Sequence, residues 1–280
     1  IDDWRMTEDK QVDPNFMSMH DLAHDGRWGS TVTTNGSLDK KLNARPGERI
    51  RLRMVNSSNG RFYRLGFGGL DAKVIAVDGM YAKEAFDASG FELAPGNRID
   101  VDIKVPKDAS GEEFNIYDNF TRYSNKLGSI KVSGEPVDTP QFDYPTNKKV
   151  PDWREADFID IDKKYNLNAR MGRGRIQWTI NGKAYPNIDP FELEYDKFNK
   201  IKFVNESSRL HPMHLHGQFF KVISRNGKPA EENYFRDTVL VDPRESIEIG
   251  TVPLDKGEWL NHCHIQEHAD AGMITAVEVK

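Results

Sequence analysis

Apolar and polar residues alternate along much of the chain. Arg49, Arg51 and Arg53 interleave with Ile50, Leu52 and Met54, and Arg98-Ile99-Asp100-Val101-Asp102-Ile103 has the same two-residue period. A period of two places apolar side chains on one face of a half-buried strand. Gly and Pro punctuate the intervals and no long helical period occurs, so the pattern predicts an all-β chain of the sandwich or barrel type. Gly172-Arg173-Gly174 reads as a turn ahead of a strand-like run at Ile176–Ile180. Residues 1–40 show no clear alternation.

The strand pattern occurs twice. Lys73-Val74-Ile75-Ala76-Val77-Asp78-Gly79 matches Lys221-Val222-Ile223-Ser224-Arg225-Asn226-Gly227, 148 residues further on. Pro95 and Ile99 fall on Pro243 and Ile247 at the same offset, and Val55-Asn56 falls on Val204-Asn205 at an offset of 149. Self-similarity of this kind marks two copies of one structural unit. Pro136, Pro140, Pro145 and Pro151 crowd the interval between them, which reads as an extended linker. The expected organisation is a first domain over 1–135, a linker over 136–153 and a second domain over 154–280. A length of 280 residues suits two domains.

Composition narrows the class. Hydrophobic residues make up 37% and charged residues 30%, as in a globular protein, and no stretch approaches the ~20 apolar residues of a membrane span. No signal peptide is visible, and the chain opens at Ile1, as a processed or clipped chain would. A net charge of −5 argues against a nucleic-acid partner. One cysteine leaves no internal disulfide.

That cysteine sits in the most informative stretch, His262-Cys263-His264-Ile265-Gln266-Glu267-His268-Ala269-Asp270-Ala271-Gly272-Met273. Upstream lies His211-Pro212-Met213-His214-Leu215-His216-Gly217, so six of the eight histidines fall in two short clusters. One thiolate, two imidazoles and a distant thioether are the donors of a blue-copper electron-transfer site. Structural zinc usually takes several cysteines, and this chain has one. Cys263, His268 and Met273 come from one loop, with His211 the candidate for the second imidazole. Strand parity assigns the other histidines to a second site. In an extended strand Cys263 faces one way and His262 and His264 the other. His214 and His216 share a face opposite to that of His211. The peptide around Cys263 would then join two metal centres. His20 and His24, with Met17 and Met19 nearby, have neither the H-x-H spacing nor a cysteine, and read as a surface loop or interdomain segment.

HPMHLHG followed by HCHIQEHADAGM resembles the copper-binding motif pair in the last cupredoxin domain of three-domain, laccase-like multicopper oxidases. Trp178-Thr-Ile-Asn-Gly182 resembles the opening of that domain, and Asp3-Trp4-Arg-Met resembles the start of the family's second, copper-free domain. The resemblance implies two tandem cupredoxin-like Greek-key domains. It implies a type 1 copper on His211, Cys263, His268 and Met273. It also implies a trinuclear cluster with His214 on type 2 copper and His216, His262 and His264 on the type 3 pair. The expected reaction is one-electron oxidation of phenolic or similar reductants, coupled to four-electron reduction of dioxygen to water. Electrons would enter at the exposed edge of His268 and pass through Cys263 to His262 and His264.

At an offset of 148, Tyr63, Gly66 and Gly68 stand where His211, His214 and His216 stand, so the first copy carries no copper ligands. The family cluster takes eight histidines, and this chain supplies four. The expectation is therefore a chain whose N-terminal cupredoxin domain is missing or lies elsewhere, inactive alone, in a periplasmic or secreted setting. Some bacterial members carry a proton-delivering glutamate where this chain has Ala269, with Glu267 and Asp270 adjacent. The alternatives are a blue-copper electron carrier without oxidase activity and a cuprous or other metal-ion oxidase. The scatter of the 8 methionines disfavours the latter. Copper nitrite reductases place their blue site in the first unit and lack an HCH motif.

Overall fold

The computed structural model of the protein describes residues 1–147, 163–172 and 174–280. Strands hold 48% of residues and helices 4%, as the alternation predicted. The chain divides into two compact units.

The first unit comprises Ile1–Pro14 and Trp28–Thr146. One sheet runs in the order Lys41–Ala44, Asn125–Val132, Glu113–Asp118, Tyr63–Gly66, Glu92–Leu93, and the other in the order Arg49–Val55, Arg98–Lys104, Asp71–Val77, Met80–Asp87. Strand neighbours are mostly non-consecutive, the mark of Greek-key connections. Ile99, Val101 and Ile103 are buried while Arg51 and Arg53 stay exposed. Arg49 reaches across the ladder to Asp102 with two hydrogen bonds of 2.7 Å.

The expected linker begins as part of this unit. The Val137 amide donates to the Pro46 carbonyl at 2.8 Å, and the Tyr144 hydroxyl donates to Asp102 at 2.8 Å. Proline-rich sequence thus packs against the sheet edge through its remaining polar groups. Residues 148–153 of the expected linker, and the expected domain start at 154, lie outside the described residues.

The second unit comprises Asn15–Arg27 and Asn147–Lys280. Its six-stranded sheet runs Arg175–Ile180, Lys163–Gly172, Asn199–Asn205, Ser246–Thr251, Phe220–Arg225, Lys228–Pro229. The five-stranded sheet runs Phe191–Leu193, Ile274–Val279, Gly257–Cys263, His211–Leu215, Thr238–Val241. Gly172 pairs with Arg175 in an antiparallel ladder, and Arg173 lies outside the described residues.

One segment departs from the sequence reading. Asn15–Arg27 was expected as a surface loop or interdomain segment. Instead it folds with the second unit and forms the short helix Met19–Ala23, capped by the Ser18 hydroxyl, which accepts from the Asp21 amide at 3.1 Å. Leu22 and Asp21 are buried there. The physical reason is backbone satisfaction: the Trp178 indole donates to the Leu22 carbonyl at 2.8 Å, and Asp25 accepts from the Leu210 amide at 3.0 Å.

Candidate metal centres

Both clusters are built on the five-stranded sheet of the second unit, with His268 on the short helix Gln266–Asp270 that follows it. Strands His211–Leu215 and Gly257–Cys263 pair antiparallel, with Met213 opposite Cys263 and His214 opposite His262. Side chains alternate across this ladder, so neighbours on one strand serve opposite faces.

On one face, three donors converge. Cys263 Sγ lies 3.7 Å from His211 Nδ1 and 3.6 Å from His268 Nδ1, and the two Nδ1 atoms are 3.2 Å apart. All three residues are fully buried. Hydrogen bonds fix both imidazole tautomers. The Ser207 hydroxyl donates to Asn205 Oδ1 at 2.8 Å, so its oxygen accepts from His211 Nε2–H at 2.9 Å. His268 Nε2–H donates to the His24 carbonyl at 2.7 Å. Each ring therefore turns the lone pair of its Nδ1 toward the sulfur. An outer partner that sets the tautomer of a ligating imidazole is a regular feature of metal sites.

Burial suppresses charge at this centre. It holds His268 down to about 3, against the hydrogen bond to His24, and pushes His211 well below the ordinary imidazole range. It also drives the Cys263 thiol far up. Two neutral imidazoles beside a protonated thiol suit a cation that can take the thiol proton's place.

Met273 is buried, and its backbone closes the loop. Its carbonyl accepts from the Cys263 amide and its amide donates to the His268 carbonyl, each at 3.0 Å. Gly272 precedes it at φ +120, where a Cβ would lie 2.6 Å from the Ala184 Cβ and 2.9 Å from the Trp178 carbonyl oxygen. Only glycine lets the loop pass so close to the strand Arg175–Ile180.

The opposite face gathers the remaining histidines. Nitrogens of His214, His216 and His262 lie within 4.8 Å of one another, and His216 Nε2 is 3.0 Å from His262 Nε2. The His264 ring is 5.6 Å from that of His262 and 5.8 Å from that of His214, outside the tighter group of donor atoms. His262 Nδ1–H donates to the Cys263 carbonyl at 2.8 Å. The Thr238 hydroxyl donates to the Asp237 carboxylate and accepts from His214 Nδ1–H at 2.9 Å. In both rings Nε2 is left for the shared space. Burial, with repulsion from His214 added, lowers His262 to about 4 and also lowers His216 and His264.

The parity argument thus holds in the fold: Cys263 faces His211 and His268, while His262 faces His214 and His216. The family models for multicopper oxidases match residues 2–129 and 152–280. The chain belongs to the multicopper oxidases. It is 29% identical over 263 residues to the multicopper oxidase mco of Staphylococcus haemolyticus, covering 91% of this chain and 53% of that protein. A laccase of Haloferax volcanii is 25% identical over 269 residues, covering 88% of this chain and 46% of that one. The crystal structure of a multicopper oxidase from Pseudomonas thermotolerans superposes with a TM-score of 0.83 at 25% identity, over 100% of this chain and 66% of that one. The chain spans about half the length of the curated relatives it matches. As in its family, the cofactor is copper, and both donor groups offer the nitrogen and sulfur donors that copper takes.

One sequence expectation needs correction. The edge of His268 is not exposed: the residue is 0% accessible, because the His24 carbonyl takes its Nε2–H. Glu267, adjacent to the position that Ala269 fills, is not in the second histidine group. It lies buried on the short helix Gln266–Asp270, takes a hydrogen bond from the Arg27 backbone amide, and has its carboxyl raised by burial.

Sequence reasoning passed over Trp178, whose ring lies 4.0 Å from that of His268 and meets His211 edge-on at 5.0 Å. It also missed Ser207 as the partner of His211. The only sequence signal for the Trp178 contact was its place in the opening strand of the second copy.

Proposed function

We propose that this chain carries the mononuclear centre and half of the dioxygen-reducing centre of a laccase-like oxidase. His211, Cys263, His268 and Met273 would hold type 1 copper. His214 would serve type 2 copper, and His216, His262 and His264 the type 3 pair. The supporting observation is the back-to-back arrangement: adjacent residues of one strand supply a buried N,N,S group on one face and a histidine group on the other. Copper bound there supplies one-electron redox chemistry that the side chains alone do not have.

The side chains do the rest. Full burial of His211, Cys263, His268 and Met273 excludes water from the first group. Ser207 and the His24 carbonyl hold the two Nδ1 atoms on the thiol. The single peptide links from Cys263 to His262 and His264 give the shortest covalent path between the faces. Four histidines are half of the eight-histidine shell the family resemblance implies, so dioxygen reduction needs H-x-H pairs that residues 1–280 do not contain. Phenolic reductants and a periplasmic or secreted location belong to the same reading.

The test is copper loading followed by Cys263→Ser. The wild type should take up copper with an intense blue absorption, and the variant should lose the colour while keeping its circular dichroism spectrum. The thiolate-to-copper charge transfer has no other sulfur of this type to come from, since Cys263 is the sole cysteine. A blue variant would sink the assignment.

A further inference from the structure

The two copies differ at one sheet edge as well as at the ligand positions. In the second unit Lys163–Gly172 pairs in parallel with Asn199–Asn205 and sets Tyr165 opposite Phe203. The Tyr165 ring is buried, stacks on Phe191 with centroids 3.5 Å apart and meets Phe203 at 5.2 Å. At the offset of 149 that matches Val55-Asn56 to Val204-Asn205, Leu42 and Met54 stand where Phe191 and Phe203 stand. The strands agree with this match: Lys41–Ala44 pairs in parallel with Asn125–Val132, as Phe191–Leu193 does with Ile274–Val279. Among the described residues Arg49–Val55 pairs only with Arg98–Lys104, so no strand there corresponds to Lys163–Gly172.

A cavity of about 160 Å³ lies beside that uncovered strand, within the first unit. Its walls are Leu42, Leu52, Met54, Ile116 and Leu127, with no aromatic ring among its lining residues. Leu42 and Leu52 stay half-buried, whereas Ile99, Val101 and Ile130 on the neighbouring strands are sealed. Close-packed interiors keep few such spaces. On the solvent side the lining changes to half-buried Lys40 and exposed Arg53. Lys40 makes no ion pair among the described residues. Its neighbour Asp39 is taken up by Lys41 at 3.3 Å and Lys126 at 3.0 Å, and Arg53 has Asp100 at 3.5 Å. The Lys40 backbone is held in place, its carbonyl accepting from the Ser129 amide at 2.9 Å.

We propose that this cavity binds a small aromatic carboxylate, whose ring takes in the first copy the place that the Tyr165 ring takes in the second. The volume suits one ring, since an apolar cavity of about 150 Å³ holds benzene. Leucine side chains and a thioether pack well on an aromatic face. The carboxylate would meet the free ammonium of Lys40, with Arg53 beside it. A neutral ring would leave that ammonium without a counter-charge, and an amine would face two like charges. The cavity holds none of the candidate copper ligands, so the inference does not rest on the copper assignment.

The experiment titrates benzoate into the full 280-residue chain and follows methyl signals by nuclear magnetic resonance, with ascorbate present so that any copper is cuprous and diamagnetic. Ring currents should shift the methyls of Leu42, Leu52 and Met54 along one binding curve. Acetate has the charge without the ring and should leave Met54 unmoved. Benzylamine, with the charge reversed, should bind more weakly than benzoate. Lys40→Gln should weaken benzoate about two- to fivefold and narrow its advantage over benzylamine. Leu42→Phe puts the second copy's residue into the space and should weaken benzoate about tenfold or more, because the ring loses its buried surface. Circular dichroism checks the fold of both variants. A Met54 methyl that stays put throughout the benzoate titration overturns the proposal, as does wild-type benzoate affinity in a folded Leu42→Phe. Equal affinities for benzoate and benzylamine, unchanged in Lys40→Gln, would overturn the choice of an anion. Should Leu42→Phe fail to fold, the methyl shifts and Lys40→Gln still decide.

Discussion

The buried imidazoles make a quantitative prediction about the metal-free protein. His268 is held to about 3 and His262 to about 4, in both cases mainly by burial. An imidazole in the unfolded chain titrates near 6.5. Between these values the unfolded state binds a proton that the folded state refuses. Stability is therefore complete above pH ~6.5 and falls as the pH drops, by about 1.4 kcal/mol per pH unit for each such histidine. From pH 6.5 to 5 that is about 2 kcal/mol per residue, or about 4 kcal/mol for the pair. His211, shifted the same way, adds to it. A loss of this size is a large part of the roughly 5–15 kcal/mol that holds a domain together.

The assay is urea unfolding of chelator-treated protein at pH 7 and pH 5. With an m value of roughly 2 kcal/mol per molar, the midpoint of the second unit should fall by about 2 M. His262→Gln should remove one histidine's share, leaving a drop nearer 1 M on the same basis. Copper should shift the whole loss to lower pH, because a bound cation competes with the protons. Equal midpoints at the two pH values would show that these rings accept protons in the folded state, and that the burial argument is wrong.

Three further outcomes follow from the same site. Met273→Leu should keep the copper and raise the type 1 potential, since the axial thioether is a weak donor and three others remain; a redox titration showing a lower potential or lost metal would remove Met273 from that role. Ser207→Ala should weaken copper binding about tenfold or more by freeing the His211 ring, and an unchanged competition curve against a chelator would refute it. Gly272→Ala should cost roughly 1–3 kcal/mol, because the residue sits at φ +120 against Ala184 and the Trp178 carbonyl; an unshifted melting temperature in calorimetry would refute that.

The division of the candidate ligands between two faces was legible in the sequence because it depends only on strand parity. His262-Cys263-His264 has one possible alternation, and the fold obeys it. The two-copy architecture was legible for a similar reason, as strand pattern and turn residues recur at a constant offset. The covering of His268 was not. It rests on carbonyls of His24 and Leu22, which any residue would supply, and on contacts 244 and 156 positions apart in the chain. A backbone carbonyl has no signature in the residue that bears it. Met17, Met19, His20 and His24 were visible as a cluster, but their histidines suggested chemistry while the segment's firmest bonds come from its main chain.

The repeat also shows how one turn can serve a core side chain in one copy and a candidate ligand in the other. In the second copy the Asn205 amide donates to the Arg209 carbonyl at 2.6 Å and to the Val241 carbonyl at 3.2 Å, its oxygen accepts from the Ser207 amide at 2.9 Å, and Ser207 holds His211. The first copy has the same device at equivalent positions. Asn56 donates to the Arg61 carbonyl at 2.8 Å and the Leu93 carbonyl at 2.9 Å, accepts from the Ser58 amide at 3.0 Å, and the Ser58 hydroxyl meets the Tyr63 hydroxyl at 2.7 Å. The turn does not depend on the metal, since the first copy builds it with tyrosine. What it provides is a buried hydroxyl at a fixed place beside the start of a strand. A phenol there is satisfied and becomes core, with Tyr63 wholly buried. An imidazole there spends one nitrogen on the serine and turns the lone pair of the other inward, where Cys263 and His268 stand opposite and make it a candidate ligand. The serine is thus structural in one copy and tautomer-setting in the other. That is why Ser207→Ala should lower copper affinity: the Asn205 amide keeps its bonds to the backbone of the turn, while the His211 ring, the Asn205 oxygen and the Arg209 amide lose the hydroxyl.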